Sequence, residues 1–378
     1  MTTSDKNNTY AAYASYAMSA PVFETHAHYL FPLSVKDTAE LFREEIEEVR
    51  AERIAFLSIP LEYNADGTQK LDLLQNAKGM FLKLFFSPNA YCLAGLVHPA
   101  DDSDTERVAN DFLEQVRAYR RAGFDGMKML EGYPTFLKFT GVPLDSPVYD
   151  KFYAYCAETG FPVTMHAANP DESWDPDTTD QALIRMGRVY DGSYPAKEEI
   201  LGQVFRVMEK HPALRLTLAH FGFFSKHYAD AERFLSYPNT KLDLTPGGEQ
   251  FLNMRENWEM WRGFFDRYAD RLMYGTDFYA YPRNDRESWL RTVNLRPHFL
   301  RQFLGTDTGH EYLGGTFTGV GLPETLLEKL YRTTALAHYG DPKPADRAWL
   351  SAELDRRSAA ADEKQAEDIR YMREMLNL

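Results

Sequence analysis

Eight short apolar runs alternate with helical stretches down most of this chain, and that alternation narrows the fold more than any other feature. The runs are PVFETHAH (21–28), RIAFLSI (53–59), YCLAGLV (91–97), FDGMKML (124–130), FPVTMHA (161–167), LRLTLAH (214–220), KLDLTP (241–246) and RLMYGTDF (271–278). Several are apolar on both faces, which suits a parallel sheet covered on its outside by helices. The stretches between them, such as 36–52, 105–123, 148–160, 197–212 and 257–271, carry apolar residues at helical spacing. Eight strands with helices between them, over about 260 residues, predict a (β/α)8 TIM barrel. An open doubly wound sheet is the competing arrangement. It should carry a Gly-rich phosphate loop after an early strand, and none is present.

The rest of the chain decorates this α/β barrel. Residues 1–20 read as a short N-terminal helix with Tyr10, Tyr13 and Tyr16 on one side, a packing stripe. Residues 168–195 form a long polar and aromatic insertion after the fifth strand. Loops after barrel strands gather on the active face, so the insertion is expected at the mouth or as a lid. Residues 322–378 read as charged helices, placed on the barrel flank or in a dimer contact. The expected organisation is a single domain over 1–378, with the barrel at about 20–335 and a helical C-terminal extension at about 336–378.

A hydrophobic content of 44%, with 14% aromatic, supplies a large core. The net charge of −14 argues against nucleic acid or an anionic membrane as a partner. Two cysteines, Cys92 and Cys156, make no disulfide framework and read as buried free thiols. No signal-peptide pattern opens the chain and no run approaches 18 apolar residues, so a cytoplasmic protein without membrane spans is expected.

Chemistry enters where the strands end. His26 and His28 stand as His-x-His in the first run, and residues two apart on a strand point to the same side. Alone the pair is weak, since about one chain in four of this composition shows one by accident. It gains weight because His166 closes the fifth run, His220 the sixth and Asp277 the eighth. Barrel strands converge at their C-terminal ends, so these side chains become neighbours. Imidazoles with one carboxylate suit Zn2+ and related divalent ions, and such an ion lowers a water's pKa to about 7. The remaining histidines, His211, His227, His298, His310 and His338, are assigned surface roles, and His98 that of a structural polar residue. Lys128, near the end of the fourth run, is expected to be solvated or salt-bridged. An unpaired ammonium inside a barrel would be costly, a cost that carboxylation or a substrate carboxylate would remove.

The motifs ETHAH (24–28), GMK (126–128), TMH (164–166), LAHFG (218–222) and YGTD (274–277) resemble the amidohydrolase superfamily. They look most like its amidohydrolase-related branch, which contains aminocarboxymuconate semialdehyde decarboxylase, resorcylate-type decarboxylases and pyrone-dicarboxylate lactonase. The similarity runs over about residues 20–335. The resemblance implies one divalent ion, usually zinc, with His26, His28 and His166 as imidazole ligands and Asp277 as carboxylate ligand or base. His220 maps to the histidine that polarises substrate or activates water. In two-metal relatives that histidine binds a second ion, and the lysine matching Lys128 is carboxylated. Glu24 maps to a supporting position behind the ligands.

Three functions follow as expectations. The leading one is a metal-dependent hydrolase that cleaves a C–N or C–O bond of a small molecule, with Asp277 and His220 as catalytic groups. The alternative is a metal-dependent decarboxylase of an aromatic or muconate-like acid, gripped by Arg185, Arg188 or Lys128. A non-catalytic binding protein would have lost a ligand, and none is missing. Trp174, Arg185, Arg188 and Tyr190 of the insertion are candidate substrate contacts. A homo-oligomer is compatible with all of this.

Overall fold

The computed structural model describes residues 16–29, 33–100, 103–178, 183–184, 186–246, 250–279, 286–312 and 315–378, with the side chains of 48, 278 and 286–295 left aside. Tyr10, Tyr13 and Arg185 lie outside the described residues. The strands are β1 Val22–His28, β2 Ala51–Leu57, β3 Ala90–Gly95, β4 Gly126–Gly132, β5 Val163–Ala167, β6 Leu216–Leu218, β7 Lys241–Asp243 and β8, split into Leu272–Met273 and Phe278–Tyr279. They pair in parallel in chain order. The split β8 closes the ring. Its first half pairs with β7 and its second with β1.

A covering helix follows each strand: α1 Val35–Glu48, α2 Gln75–Phe85, α3 Thr105–Ala122, α4 Pro147–Thr159, α5 Lys197–Lys210, α6 Tyr228–Ser236, α7 Trp258–Tyr268 and α8 Arg286–Gly305, with short helices Pro134–Thr140 and Gln250–Glu256 ahead of α4 and α7. The α3 sequence shows why the boundaries fall where they do. Asp104 caps the start by accepting from the Arg107 amide, and Gly123 ends the helix at φ 87°, a left-handed turn that costs glycine little. The chain is therefore the (β/α)8 barrel its strand pattern predicts.

Side-chain direction decides what the barrel holds. Leu216, Leu218, Leu242 and Leu272 join the outer core under the helices, so Arg215, Thr217, Lys241, Asp243 and Arg271 between them face inward. In β1, both Val22 and Ala27 belong to that outer core, although they are an odd number of residues apart. A register shift between Glu24 and Ala27 absorbs the extra residue. It lets Phe23 face the interior at the bottom while His26 and His28 face it at the top. The bottom is closed by the segment Thr334–Tyr339, whose Ala335 and Tyr339 pack with Phe23, Ala55, Leu57, Tyr91, Leu93 and Met273.

The C-terminal helices settle on the flank. Arg347–Ser358 packs against α2 and Glu363–Leu376 against α1, with Leu350, Leu354, Ile369 and Met372 buried. Asp368 fastens them by accepting from the Val35 amide at 2.7 Å and by pairing with Lys78 at 3.2 Å. Two hairpins, Leu61–Tyr63 with Gln69–Leu71 and Gly309–Tyr312 with Gly315–Thr318, had no counterpart in the sequence reading. Cys92 and Cys156 are free and buried, as expected. His338 is not a surface residue; it sits on the bottom-closing segment at 3% exposure. Among the described residues no helix is long and apolar enough to cross a membrane.

Candidate metal centre

At the C-terminal end of the barrel, His26, His220 and Asp277 each present a ligand atom within 4.8 Å of the other two, and all three are buried. His28 joins them, with its Nε2 3.1 Å from His26 Nε2 and 3.6 Å from Asp277 Oδ1. The other face of each β1 imidazole is committed. His26 Nδ1 meets Asp243 Oδ2 at 2.8 Å, and His28 Nδ1 donates to the Leu57 carbonyl at 2.9 Å. A carbonyl and a carboxylate only accept, so both Nδ1 atoms carry the proton and both Nε2 atoms are bare. The two Nε2 lone pairs face each other at 3.1 Å, with the Lys128 amine 3.2 Å from that of His26, and a divalent cation between the imidazoles would take both lone pairs. The donor set fits a divalent ion on this ground.

Protonation states agree. Burial holds His26 well below the usual histidine range, helped by the Lys128 ammonium. Burial and the neighbouring His26 push His28 down to about 3, and burial with Lys128 pushes His166 down to about 3. Burial, with His166 beside it, keeps His220 low as well. All four imidazoles are neutral at pH 7, the form that ligates. For Asp277, burial favours the acid, but the Arg296 guanidinium beside it outweighs this and holds the carboxyl below its ordinary range. Arg296 Nη1 reaches Asp277 Oδ2 at 2.6 Å and its carbonyl at 2.8 Å, leaving Oδ1 toward the histidines.

His220 and Asp277 do not end strands. His220 lies just past β6 and Asp277 between the two halves of β8, in left-handed backbone at φ 54° and 53°. Such a conformation costs a non-glycine residue about 1–2 kcal/mol and persists where neighbours over-determine it. Asp243 Oδ1 accepts from the His220 amide at 2.8 Å, fixing the first turn. Glu24 fixes the second. Its Oε1 accepts from the amides of His26 and Thr276, both at 2.9 Å, and its Oε2 from the Thr276 hydroxyl at 2.8 Å. Burial raises Glu24 to about 7 against these donors, and its contacts give it a bracing role behind the ligands. Gly275 is required by space. A Cβ there would meet Thr245 Oγ1 at 2.9 Å and His26 Cβ at 3.1 Å.

The other candidates are placed as follows. His166 is beside the cluster, its ring 4.9 Å from that of His220, but its Nε2 is turned to Asn169 Oδ1 at 3.1 Å. Lys128 is neither solvated nor salt-bridged. It is 2% exposed inside the barrel, its Nζ 3.2 Å from His26 Nε2, and burial lowers it to about 8 against the pull of Asp243 and Asp277. The inward phase of β4 explains the difference, since it turns the amine into the barrel and away from the surface. Arg188 lies over the Tyr133 ring at 5.6 Å, within the field of Tyr279, Tyr190 and Asp277, and makes no ion pair among the described residues. Trp174 stabilises the insertion, donating to the Pro195 carbonyl at 3.1 Å and packing on Tyr190. His98 pairs with Glu131 at 2.9 Å among Phe112, Phe136 and Tyr149, the structural role expected of it. Sequence reading missed Asp243, Arg296 and Asn169. Asp243 had a signal, an acid closing the run KLD at the end of a seventh strand; Arg296, inside α8, had none.

Residues 90–340 match the protein-family model described as amidohydrolase. No curated protein matches the chain by sequence. Among solved structures, the chain is similar to 4-oxalomesaconate hydratase from Rhodopseudomonas palustris, at 13% identity and TM-score 0.50, over 90% of this chain and 99% of that one. It is also similar to the apo form of IDCase from Metarhizium anisopliae, at 12% identity and TM-score 0.50, over 86% and 98%. A third is 2,6-dihydroxybenzoate decarboxylase from Rhizobium, at 12% identity and TM-score 0.45, over 84% and 98%. At these identities the first two likenesses speak for the fold.

Proposed function

Because the chain belongs to the amidohydrolase family, we propose that it is a metal-dependent hydrolase that cleaves a C–N or C–O bond of a small molecule. The observation that carries this reading is the pair of bare Nε2 atoms of His26 and His28, 3.1 Å apart, beside the Asp277 carboxylate. A divalent ion, zinc on its preference for imidazole, would be held by His26, His28 and Asp277, with His220 and His166 on its open side. When bound, such an ion supplies Lewis acidity and brings a water's pKa to about 7.

The chain's own residues do the rest. Asp277, kept ionised by Arg296, accepts a hydrogen bond from a water or hydroxyl facing His28 and orients it. His220 Nδ1 is buried without a partner among the described residues, which leaves it to polarise a carbonyl or hand a proton to the leaving group. Phe223 stacks on the His220 ring at 5.1 Å and holds it in place. Metal analysis with activity measured before and after chelation tests the reading. Loss of turnover on chelation, restored by Zn2+, is expected; full activity in a metal-free protein would refute it.

A second reading, decarboxylation at the same site, is favoured by Arg188. Its guanidinium stands at the mouth with no ion pair among the described residues, suited to a substrate carboxylate, with Tyr133 and Tyr279 as walls for a planar acid. The hydratase and decarboxylase among the similar structures act on carboxylic acids of this kind by their names. Release of CO2 from a trial acid without uptake of water separates this outcome from hydrolysis. Two free, buried cysteines suit a reducing compartment, and we place the protein in the cytoplasm.

A further inference from the structure

The opposite end of the barrel carries a second cluster that the proposed chemistry does not use. Register pairs Thr217 with Lys241 and Leu242 with Leu272, which aligns Lys241 with Arg271 and brings Arg215 to the same inward-facing rim. All three cations are half-buried. Their hydrogen bonds go mainly to main-chain carbonyls: Arg215 to Gly160 at 2.9 Å and to His338, Lys241 to Asp270 at 3.1 Å, and Arg271 to Tyr237 at 2.6 Å and Thr240 at 2.7 Å, with a further bond from Arg271 to the Thr240 hydroxyl at 3.0 Å. Among the described residues none of the three forms a salt bridge with a carboxylate. The exposed Asp270 side chain tempers their field without pairing to them.

Capping of carbonyls accounts for each of these bonds singly. It does not account for three cations gathered on one rim of a protein whose net charge is −14. Among the described residues, two buried polar atoms beside them also lack partners. Arg215 Nη2 faces His338 Nδ1 at 3.4 Å, so the imidazole proton belongs on Nε2, and that N–H has no acceptor. His338 is 3% exposed. The Thr217 hydroxyl, in the same layer, is likewise buried and unpartnered. The rim thus offers donors and positive charge but no negative counterpart, and mutual repulsion helps to lower Lys241 to about 8, after burial.

We propose that this N-terminal rim of the barrel binds a small tetrahedral oxyanion of the phosphate type, between Arg215, Lys241 and Arg271 and against the His338 and Thr217 donors. Bound there, the anion joins the starts of β6, β7 and β8 to the bottom-closing segment Thr334–Tyr339. It lies below the metal centre, with Lys241 two residues before Asp243 on β7, and takes no part in the reaction assigned to that centre.

The test is titration of the whole protein with inorganic phosphate at constant ionic strength, read by calorimetry and by the unfolding temperature. Saturable binding is expected, with a thermal shift that grows with free phosphate as mass action requires. Sulfate should substitute for phosphate and chloride should not. Lys241→Gln and Arg271→Gln should each weaken binding at least about tenfold, while Asp277→Asn, at the metal centre, leaves it unchanged. If Lys241→Gln does not fold, Lys241→Arg should keep the affinity and Thr217→Val should lower it. Absence of saturable binding, or binding lost in Asp277→Asn but kept in Lys241→Gln, overturns the assignment.

Discussion

Asp243→Asn probes how a carboxylate on β7 prepares the proposed metal ligand His26 on β1. Asp243 Oδ2 takes the His26 Nδ1 proton at 2.8 Å, and Oδ1 accepts from the amides of His220 at 2.8 Å and Thr245 at 3.2 Å. Asparagine is the same size and keeps the two amide bonds through its carbonyl oxygen. Its NH2 group then faces His26 Nδ1 and can only donate. The imidazole proton must move to Nε2, the atom 3.1 Å from His28 Nε2 and needed bare for ligation. Loss of such an orienting partner typically costs about 10–100-fold in metal affinity, or about 1.4–2.8 kcal/mol. Folding loses one charge-assisted hydrogen bond, roughly 1.5–3 kcal/mol, so unfolding is followed alongside. The assay is zinc titration of the demetallated protein against a competing chelator. A folded Asp243→Asn protein that binds zinc within about twofold of its parent would refute the tautomer argument.

Three further outcomes follow from particular contacts. Gly275→Ala drives a methyl against Thr245 Oγ1 at 2.9 Å and His26 Cβ at 3.1 Å, and should destabilise by about 1–3 kcal/mol in denaturant titration. Arg188→Gln should raise KM for a carboxylate substrate by about 10–100-fold with little change in unfolding temperature; an equal effect on an uncharged substrate would contradict the anchoring role. Asp171 meets His227 at 2.8 Å and Lys197 at 3.0 Å, and these partners hold it at about 2 despite the opposing effect of burial. An acid depressed on folding stabilises above its unfolded pKa and loses that as pH falls through the folded value. Asp171 should contribute about 2 kcal/mol of the stability lost between about pH 4 and pH 2, and Asp171→Asn should remove that share of the pH–stability slope.

Much of the site was visible in the chain as a string. His26, His28, His220 and Asp277 stand out because apolar strand runs stop at or beside them, and barrel strands stop at a common mouth. His166 was found by the same signal, and the structure puts it next to His220 with its Nε2 given to Asn169. What escaped were partners with no local mark. Asp243 and His26 are 217 positions apart, and Arg296 reads as one more polar residue of a helix.

By itself the sequence determined the number and order of the barrel strands and their alternation with helices, because burial alternates with period 2 on a strand and about 3.6 on a helix, and that pattern is local. It also determined which residue types reach the mouth. The tertiary structure alone decided their chemical state. The slip in β1 turns His26 and His28 inward above Phe23. The left-handed turns at His220 and Asp277 are held by residues from other strands. The Lys128 amine is stripped of water because β4 faces it into the barrel. Tautomer, charge and strain depend on groups brought within a few ångströms by closure of the ring, and no period along the chain encodes that distance.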